Sequence, residues 1–300
     1  MSGWHERLAA KGLLIADGAW GTELAGRGLE AGVAPERWNL ERPDDVRAVA
    51  ASYVEAGADI ILTNTFGASP LKLKKVGLDR HVGEINRIGV ELSREAAGER
   101  TLVFASVGPT GEFLSPVGTV DEEEMVACYA EQVADLAAAG PDGVVIETQT
   151  DLAEAKAALR AVRENSGLPV VVSMTFQKGV KGYATMMGVT PARAASELGA
   201  DGADIVGANC GAGIAEIVEV ARLMRDATEL PLWFKPNAGV PELVKGKTVF
   251  RETPEQMIRH LPALIEAGAS IVGGCCGTTP EHIRLLVAEA KRLTDRRGET

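Results

Sequence analysis

Eight times along the chain a short apolar run is followed by an amphipathic stretch, and this alternation restricts the fold more than any other feature. The runs fall at residues 13–16, 60–63, 102–105, 144–147, 170–174, 204–207, 232–235 and 270–272. The helical stretches between and after them fall at about 44–56, 82–97, 122–139, 152–164, 191–198, 214–227, 254–266 and 280–293. A run that is apolar throughout, rather than at alternate positions, suits a parallel strand buried on both faces. Eight such units in 300 residues predict one (β/α)8 TIM barrel over residues 1–300, in a fold that typically needs about 250 residues. A doubly wound sheet produces the same alternation. The even length of the units, with no linker between them, favours the barrel.

A weak internal repeat agrees. Glu55-Ala56-Gly57-Ala58-Asp59-Ile60-Ile61, Gly199-Ala200-Asp201-Gly202-Ala203-Asp204-Ile205-Val206 and Glu266-Ala267-Gly268-Ala269-Ser270-Ile271-Val272 all read as a helix stopped at glycine that turns into the next strand. These helix-to-strand links are short. Most strand-to-helix links are long, at 17–43, 64–80, 106–120, 175–190 and 236–253. The elaborate loops therefore gather at the C-terminal ends of the strands, the face that carries active sites in barrels.

Composition excludes several classes of function. A net charge of -11 would repel nucleic-acid phosphates. No apolar run approaches the ~18 residues of a membrane helix, and the N-terminus lacks a signal-peptide profile. With four cysteines in all and no export signal, a reducing cytoplasm is expected, where clustered cysteines serve metal binding or catalysis. Cys128 sits in a helical pattern and reads as core.

The other three cysteines carry the chemistry. Cys210 lies in Gly207-Ala208-Asn209-Cys210-Gly211, and Cys275 and Cys276 in Gly273-Gly274-Cys275-Cys276-Gly277, each stretch just past an apolar run. Three thiolates at strand ends can converge on zinc and leave its fourth position open, the arrangement of a catalytic site. The competing reading is that Cys275 and Cys276 are small apolar residues filling a turn. Around the same face stand Asp17-Gly18-Ala19, Asn64, Ser106, Glu147, Asn209, Lys235 and Asn237. No histidine falls there. Glu147 ends an apolar strand, so its carboxylate needs a partner, either a ligand ammonium or an internal cation. The Asp17-Gly18-Ala19 turn can set a carboxylate beside free backbone N–H groups and so receive both ends of an amino acid.

Asp17-Gly18-Ala19-Trp20-Gly21-Thr22, Thr63-Asn64-Thr65-Phe66, Glu147-Thr148, Asn209-Cys210 and Gly273-Gly274-Cys275-Cys276-Gly277 resemble, in order, the motifs of the zinc-dependent homocysteine S-methyltransferase family. The resemblance covers nearly the whole chain. It implies that Cys210, Cys275 and Cys276 bind zinc, that Glu147 holds the homocysteine amino group, and that the turn at Asp17, Gly18 and Ala19 contributes to amino-acid binding. Asn64, Ser106, Asn209 and Asn237 are further pocket candidates. The implied reaction is methylation of a zinc-activated homocysteine thiol to give methionine.

Family donors are methylcobalamin on a corrinoid protein or module, S-methylmethionine, and betaine. The stretch Glu147-Thr148-Gln149-Thr150-Asp151-Leu152-Ala153-Glu154-Ala155-Lys156 looks most like the homocysteine domain of cobalamin-dependent methionine synthase. A methylcobalamin donor is therefore expected. Free methylcobalamin or a separate methylated corrinoid protein would supply it, because the chain ends soon after the eighth helix. Betaine enzymes carry aromatics after their equivalents of Phe66 and Glu147, where this chain has Gly67 and Thr148. Two other classes stay open. Lys235 at the end of an apolar run could form an aldolase-type Schiff base, and the cysteines could belong to a non-enzymatic zinc-binding or thiol-switch protein.

Overall fold

All eight apolar runs are strands of one parallel sheet in the computed structural model, which describes residues 3–244 and 247–297. The ends of the expected domain, residues 1–2 and 298–300, and residues 245–246 of the expected 236–253 loop lie outside the described residues. The strands are β1 (Leu14–Ile15), β2 (Ile60–Leu62), β3 (Leu102–Val107), β4 (Gly143–Gln149), β5 (Val170–Met174), β6 (Ile205–Gly213), β7 (Leu232–Asn237) and β8 (Ala269–Val272). Hydrogen bonding runs β1-β8-β7-β6-β5-β4-β3-β2. A parallel bridge from Ala16 to Ile60 joins β1 to β2 and closes the ring. With helices between its strands, this is a TIM barrel.

Alternation along each strand separates two apolar layers. Leu14, Ile60, Phe104, Val145, Val171, Ile205, Trp233 and Ile271 belong to one buried cluster inside the ring. Their sequence neighbours Ile15, Ile61, Val103, Val144, Val172 and Val206 pack outward with the helices. The interior is filled by two large rings, Phe104 and Trp233, stacked 6.4 Å apart. Room for them comes from missing side chains: a Cβ on Gly143 would sit 2.8 Å from the Phe104 ring, and one on Gly207 1.9 Å from the Trp233 carbonyl oxygen. Trp4, on the helix Trp4–Lys11 that precedes β1, joins the same interior cluster.

The repeated turn behaves as the sequence predicts. Gly57, Gly202 and Gly268 adopt φ of 93°, 98° and 94°, a conformation costly for residues with a Cβ. An aspartate at the foot of three strands then ties each to its neighbour. Asp59 accepts from Ile15 N at 2.9 Å, Asp142 from Val103 N at 2.8 Å and Asp204 from Val170 N at 2.8 Å. Lys11, Arg94 and Arg163 pair with these three carboxylates.

Departures from expectation have local causes. The helix expected over 254–266 is two helices, Pro254–Ile258 and Leu261–Glu266, because Pro262 has no N–H to continue the ladder. The loops expected at 175–190 and 236–253 contain antiparallel hairpins, Gln177–Gly179 with Gly182–Ala184 and Glu242–Val244 with Lys247–Val249. β6 continues through Cys210 to Gly213, well past the expected 204–207. Among the described residues no helix is long and apolar enough to cross a membrane.

Candidate functional site

Inward positions change character toward the C-terminal ends of the strands. On β7 the inward row reads Trp233, Lys235, Asn237; on β3 Phe104 is followed by Ser106, and on β4 Val145 by Glu147. A step of two residues keeps the same face, so polar groups stand directly above the apolar interior.

The sulfurs of Cys210, Cys275 and Cys276 all lie within 4.8 Å of one another. Cys210 gets there through a backbone φ of 59° followed by Gly211 at 70°, a pair of left-handed residues that turns the thiol out of the strand. For a residue with a side chain this costs roughly 1–3 kcal/mol. Cys275 and Cys276 follow the end of β8, in a turn fixed by several hydrogen bonds. Cys275 N donates to Pro236 O at 2.7 Å, Ala238 N to Cys276 O at 2.9 Å, and Thr278 Oγ1 to Cys275 O at 2.7 Å. Gly274 is required in this turn, since a Cβ there would lie 2.3 Å from Thr278 Oγ1. Hydrogen bonds from Cys275 and Cys276 push the Cys210 thiol down, and the hydrogen bond with Cys210 pushes Cys276 up. Three partly buried sulfurs with no competing imidazole form a donor set suited to a thiophilic ion such as zinc.

Glu147 is 8% exposed and accepts a 2.5 Å hydrogen bond from Ser106 Oγ. Burial pushes its carboxyl above the ordinary range, against the pull of Lys235 and Ser106. Asp17 is fully buried and satisfied by the protein itself. Lys235 Nζ donates to its Oδ1 at 2.6 Å, while Leu62 N and Trp20 Nε1 donate to Oδ2 at 2.7 and 2.8 Å. The expectation of a free N–H at Ala19 needs correction, because that N–H donates to Thr278 Oγ1 at 3.1 Å. Gly18 lies against Tyr53, whose hydroxyl a Cβ would approach to 2.7 Å.

The asparagines divide. Asn209 organises the site: its Oδ1 accepts from Thr148 N at 2.9 Å and Ser173 Oγ at 2.7 Å, and its Nδ2 donates to Thr148 Oγ1 at 2.7 Å. Thr148 takes φ 62°, at a register shift in β4 directly after Glu147. Asn237 is buried, and its Oδ1 has no hydrogen-bond partner. Asn64 instead ties the first loop, donating to Pro35 O at 2.8 Å and Asn39 Oδ1 at 2.9 Å. Sequence reading missed Thr148, Ser173 and Thr278, and saw Lys235 only as a nucleophile. The period of two from Trp233 is the signal that marks Lys235 as inward. Cys128 is buried, and burial raises its thiol to about 11. His282 accepts from Thr279 N at 3.1 Å at the start of the last helix and takes no part in the sulfur cluster.

Beside the pocket, Gly67 N donates to Glu36 Oε1 at 2.6 Å, and a Cβ on Gly67 would fall 2.8 Å from that same oxygen. Glu36 is 3% exposed. Its carboxylate thus fills the volume a side chain at position 67 would need.

Comparison with known proteins agrees with this geometry. The family model for homocysteine S-methyltransferase matches residues 14–290. The chain is 33% identical over 313 residues to methionine synthase of Mycobacterium leprae, covering 95% of this chain and 25% of that protein. It is 32% identical over 308 residues to methionine synthase of Mycobacterium tuberculosis, covering 94% and 25%. The chain thus spans about a quarter of the length of these curated relatives. Among solved structures, the metallated form of the homocysteine methyltransferase MmuM from Escherichia coli superposes with a TM-score of 0.78 at 26% identity, covering 92% of this chain and 96% of that one. The chain belongs to the homocysteine S-methyltransferase family.

Proposed function

We propose that residues 1–300 act as one catalytic domain that methylates homocysteine to methionine, with zinc held by Cys210, Cys275 and Cys276. The observation that carries this reading is the convergence of three sulfurs within 4.8 Å of one another at the barrel end where Glu147 faces inward. A zinc ion there would lower the pKa of a substrate thiol and keep it a nucleophilic thiolate at neutral pH.

The chain's own groups supply position and charge. Glu147, held by Ser106, receives the substrate ammonium. Asn209 fixes Thr148 and with it the direction of Glu147. Asn237, buried on the inward row of β7, supports the wall beside Cys210. Asp17 acts through Lys235, and Gly18 and Ala19 shape the floor under Thr278 and Tyr53. Asn64 supports the wall. Orienting the nucleophile for an in-line approach to the methyl carbon is a large part of such catalysis. We place the enzyme in the reducing cytoplasm, where clustered thiols serve metal binding.

For the donor we propose methylcobalamin, carried by a separate corrinoid protein or by further chain. The relatives named methionine synthase support this. So do exposed apolar side chains on the strand-to-helix loops, Val117 at 67%, Met186 at 68% and Leu243 at 79%, which suit a transient protein contact on the catalytic face. Betaine is less favoured, because the position that would carry a cage aromatic is Gly67, closed by Glu36. The aldolase reading is not favoured either. A Schiff-base lysine needs a lowered pKa. Burial pushes Lys235 down, but Asp17 and Glu147 outweigh it and hold the ammonium above its ordinary value.

The test is methionine formation by zinc-loaded protein offered methylcobalamin, S-methylmethionine or betaine, each alone. Turnover with methylcobalamin is the expected result. Efficient turnover with S-methylmethionine and none with any corrinoid would overturn the donor assignment, and no turnover with any donor despite bound zinc would favour a thiol-switch role.

A further inference from the structure

Gly273, Gly274 and Gly277 surround Cys275 and Cys276, and glycine leaves a chain free to take many shapes. The far end of this turn is tied down by a histidine outside the pocket. His282 is 5% exposed and uses both ring nitrogens. Its Nδ1 lies 3.1 Å from Thr279 N and 3.0 Å from Thr279 Oγ1, and its Nε2 lies 3.1 Å from Glu252 O. A backbone N–H only donates and a carbonyl oxygen only accepts. Nδ1 is therefore the acceptor and Nε2 carries the proton, which defines a neutral imidazole in a single tautomer. Burial lowers its pKa and so favours that neutral form. The bond to Thr279 alone would be a local feature at the start of the helix Pro280–Arg297. The bond to Glu252, 30 positions away in sequence, is not.

Glu252 closes a circuit around the cysteine turn. Ala238 N donates to Cys276 O at 2.9 Å, Glu252 N donates to Ala238 O at 3.0 Å, and His282 leads from Glu252 O back to Thr279 at the exit of the turn. Phe250 packs into the same junction, since a Cβ on Gly277 would lie 2.3 Å from its Cγ. We propose that His282 is a positioning residue for the sulfur cluster: it braces the Cys275-Cys276 turn against the strand-to-helix loop that follows β7, so that both thiols already face Cys210 when a metal arrives. This rests on reading the three sulfurs as metal ligands. Ligands held ready lose less entropy on binding, and groups behind the ligands commonly set their direction. A side chain with one polar atom would hold one side of the circuit; the imidazole joins both.

The experiment uses the full chain in reduced form. Iodoacetamide labelling of the metal-free protein, read cysteine by cysteine by mass spectrometry, reports the turn directly, and zinc release to an excess of chelator reports the loaded site. His282→Leu removes both contacts and is expected to speed labelling of Cys275 and Cys276 by about 10-fold relative to Cys210. It should leave Cys128 protected and speed zinc release to a similar degree. His282→Asn restores an acceptor near the Nδ1 position and His282→Gln a donor near the Nε2 position, so each should recover part of the loss. Nitrogen-15 NMR of the unsubstituted protein at neutral pH should show a neutral His282 ring with its proton on Nε2. Unchanged relative labelling in all three variants would overturn the proposal. So would faster labelling of all four cysteines together, which marks general loosening, or a native ring protonated on Nδ1. If His282→Leu does not fold, the Asn and Gln variants and the tautomer decide the matter. Failure of the unsubstituted protein to bind zinc would overturn the metal reading, while the labelling comparison would still test the brace.

Discussion

The two ends of the barrel are built from the same strands and solve opposite problems. Below, Phe104 and Trp233 stack over glycines that make room for them, Trp4 joins them from the first helix, and three aspartates tie neighbouring strands. Above, the continuing rows carry Lys235, Glu147 and the sulfurs, with Thr148 and Cys210 held at positive φ. The lower end gains free energy from burial. The upper end concentrates buried charge and backbone strain, which persist only where the surroundings over-determine them. Packing near the foot of the barrel thus supports the arrangement of groups at its mouth.

Substitutions at the two ends should separate these roles. The largest effect is expected at the mouth: Cys210→Ser, Cys275→Ser or Cys276→Ser should abolish tight zinc binding while the barrel still folds, as read by metal analysis beside circular dichroism. Full zinc retention by Cys276→Ser would remove that residue from the ligand set. Next comes the foot. Phe104→Ala should lower unfolding free energy in urea by about 3–5 kcal/mol yet leave zinc stoichiometry intact in the folded fraction. Loss of zinc at unchanged stability would mean the two ends are not separable in this way.

Glu147→Gln is a smaller perturbation and should weaken homocysteine binding by about 1.5–3 kcal/mol with zinc content unchanged. Its pH dependence has a defined sign. Burial raises the Glu147 pKa in the folded protein, so its own contribution to stability is present below the unfolded value and lost as pH rises through the folded one. Ammonium recognition needs the ionised form. Homocysteine affinity should therefore strengthen as pH rises through that raised pKa, and Glu147→Gln should flatten this rise. Equal affinities and equal pH profiles would make the carboxylate structural. The smallest effect belongs to Cys128, buried and with its thiol raised to about 11. Cys128→Ser should leave zinc content unaltered, and alkylation of the native apoprotein should spare Cys128 while modifying the other three thiols.

Much of this division is legible in the chain before folding. Apolar runs mark the strands because a parallel strand is buried on both faces, and Glu147 is conspicuous because a carboxylate follows Val144-Val145-Ile146. The three cysteines stand out because two glycine-rich stretches place them after apolar runs. What resists reading are pairings that only closure of the ring creates. Lys235 and Asp17 are 218 positions apart, and Thr278 reaches Ala19 across 259. Nothing local in Asn64 distinguishes a wall support from a pocket ligand, since its partners Pro35 and Asn39 come from another loop. The left-handed backbone at Thr148 and Cys210 is also hidden, because threonine and cysteine carry no signal for it.

Gly67 and Glu36 restrict how this site could change its chemistry. An aromatic at position 67 is one step in sequence but collides with a buried carboxylate that is itself hydrogen-bonded to the Gly67 amide. Removing Glu36 first would leave that amide without its acceptor, so either change alone is unfavourable and only the pair together is accessible. A lineage or an engineer placing a larger side chain at this corner of the barrel mouth would have to change both positions together.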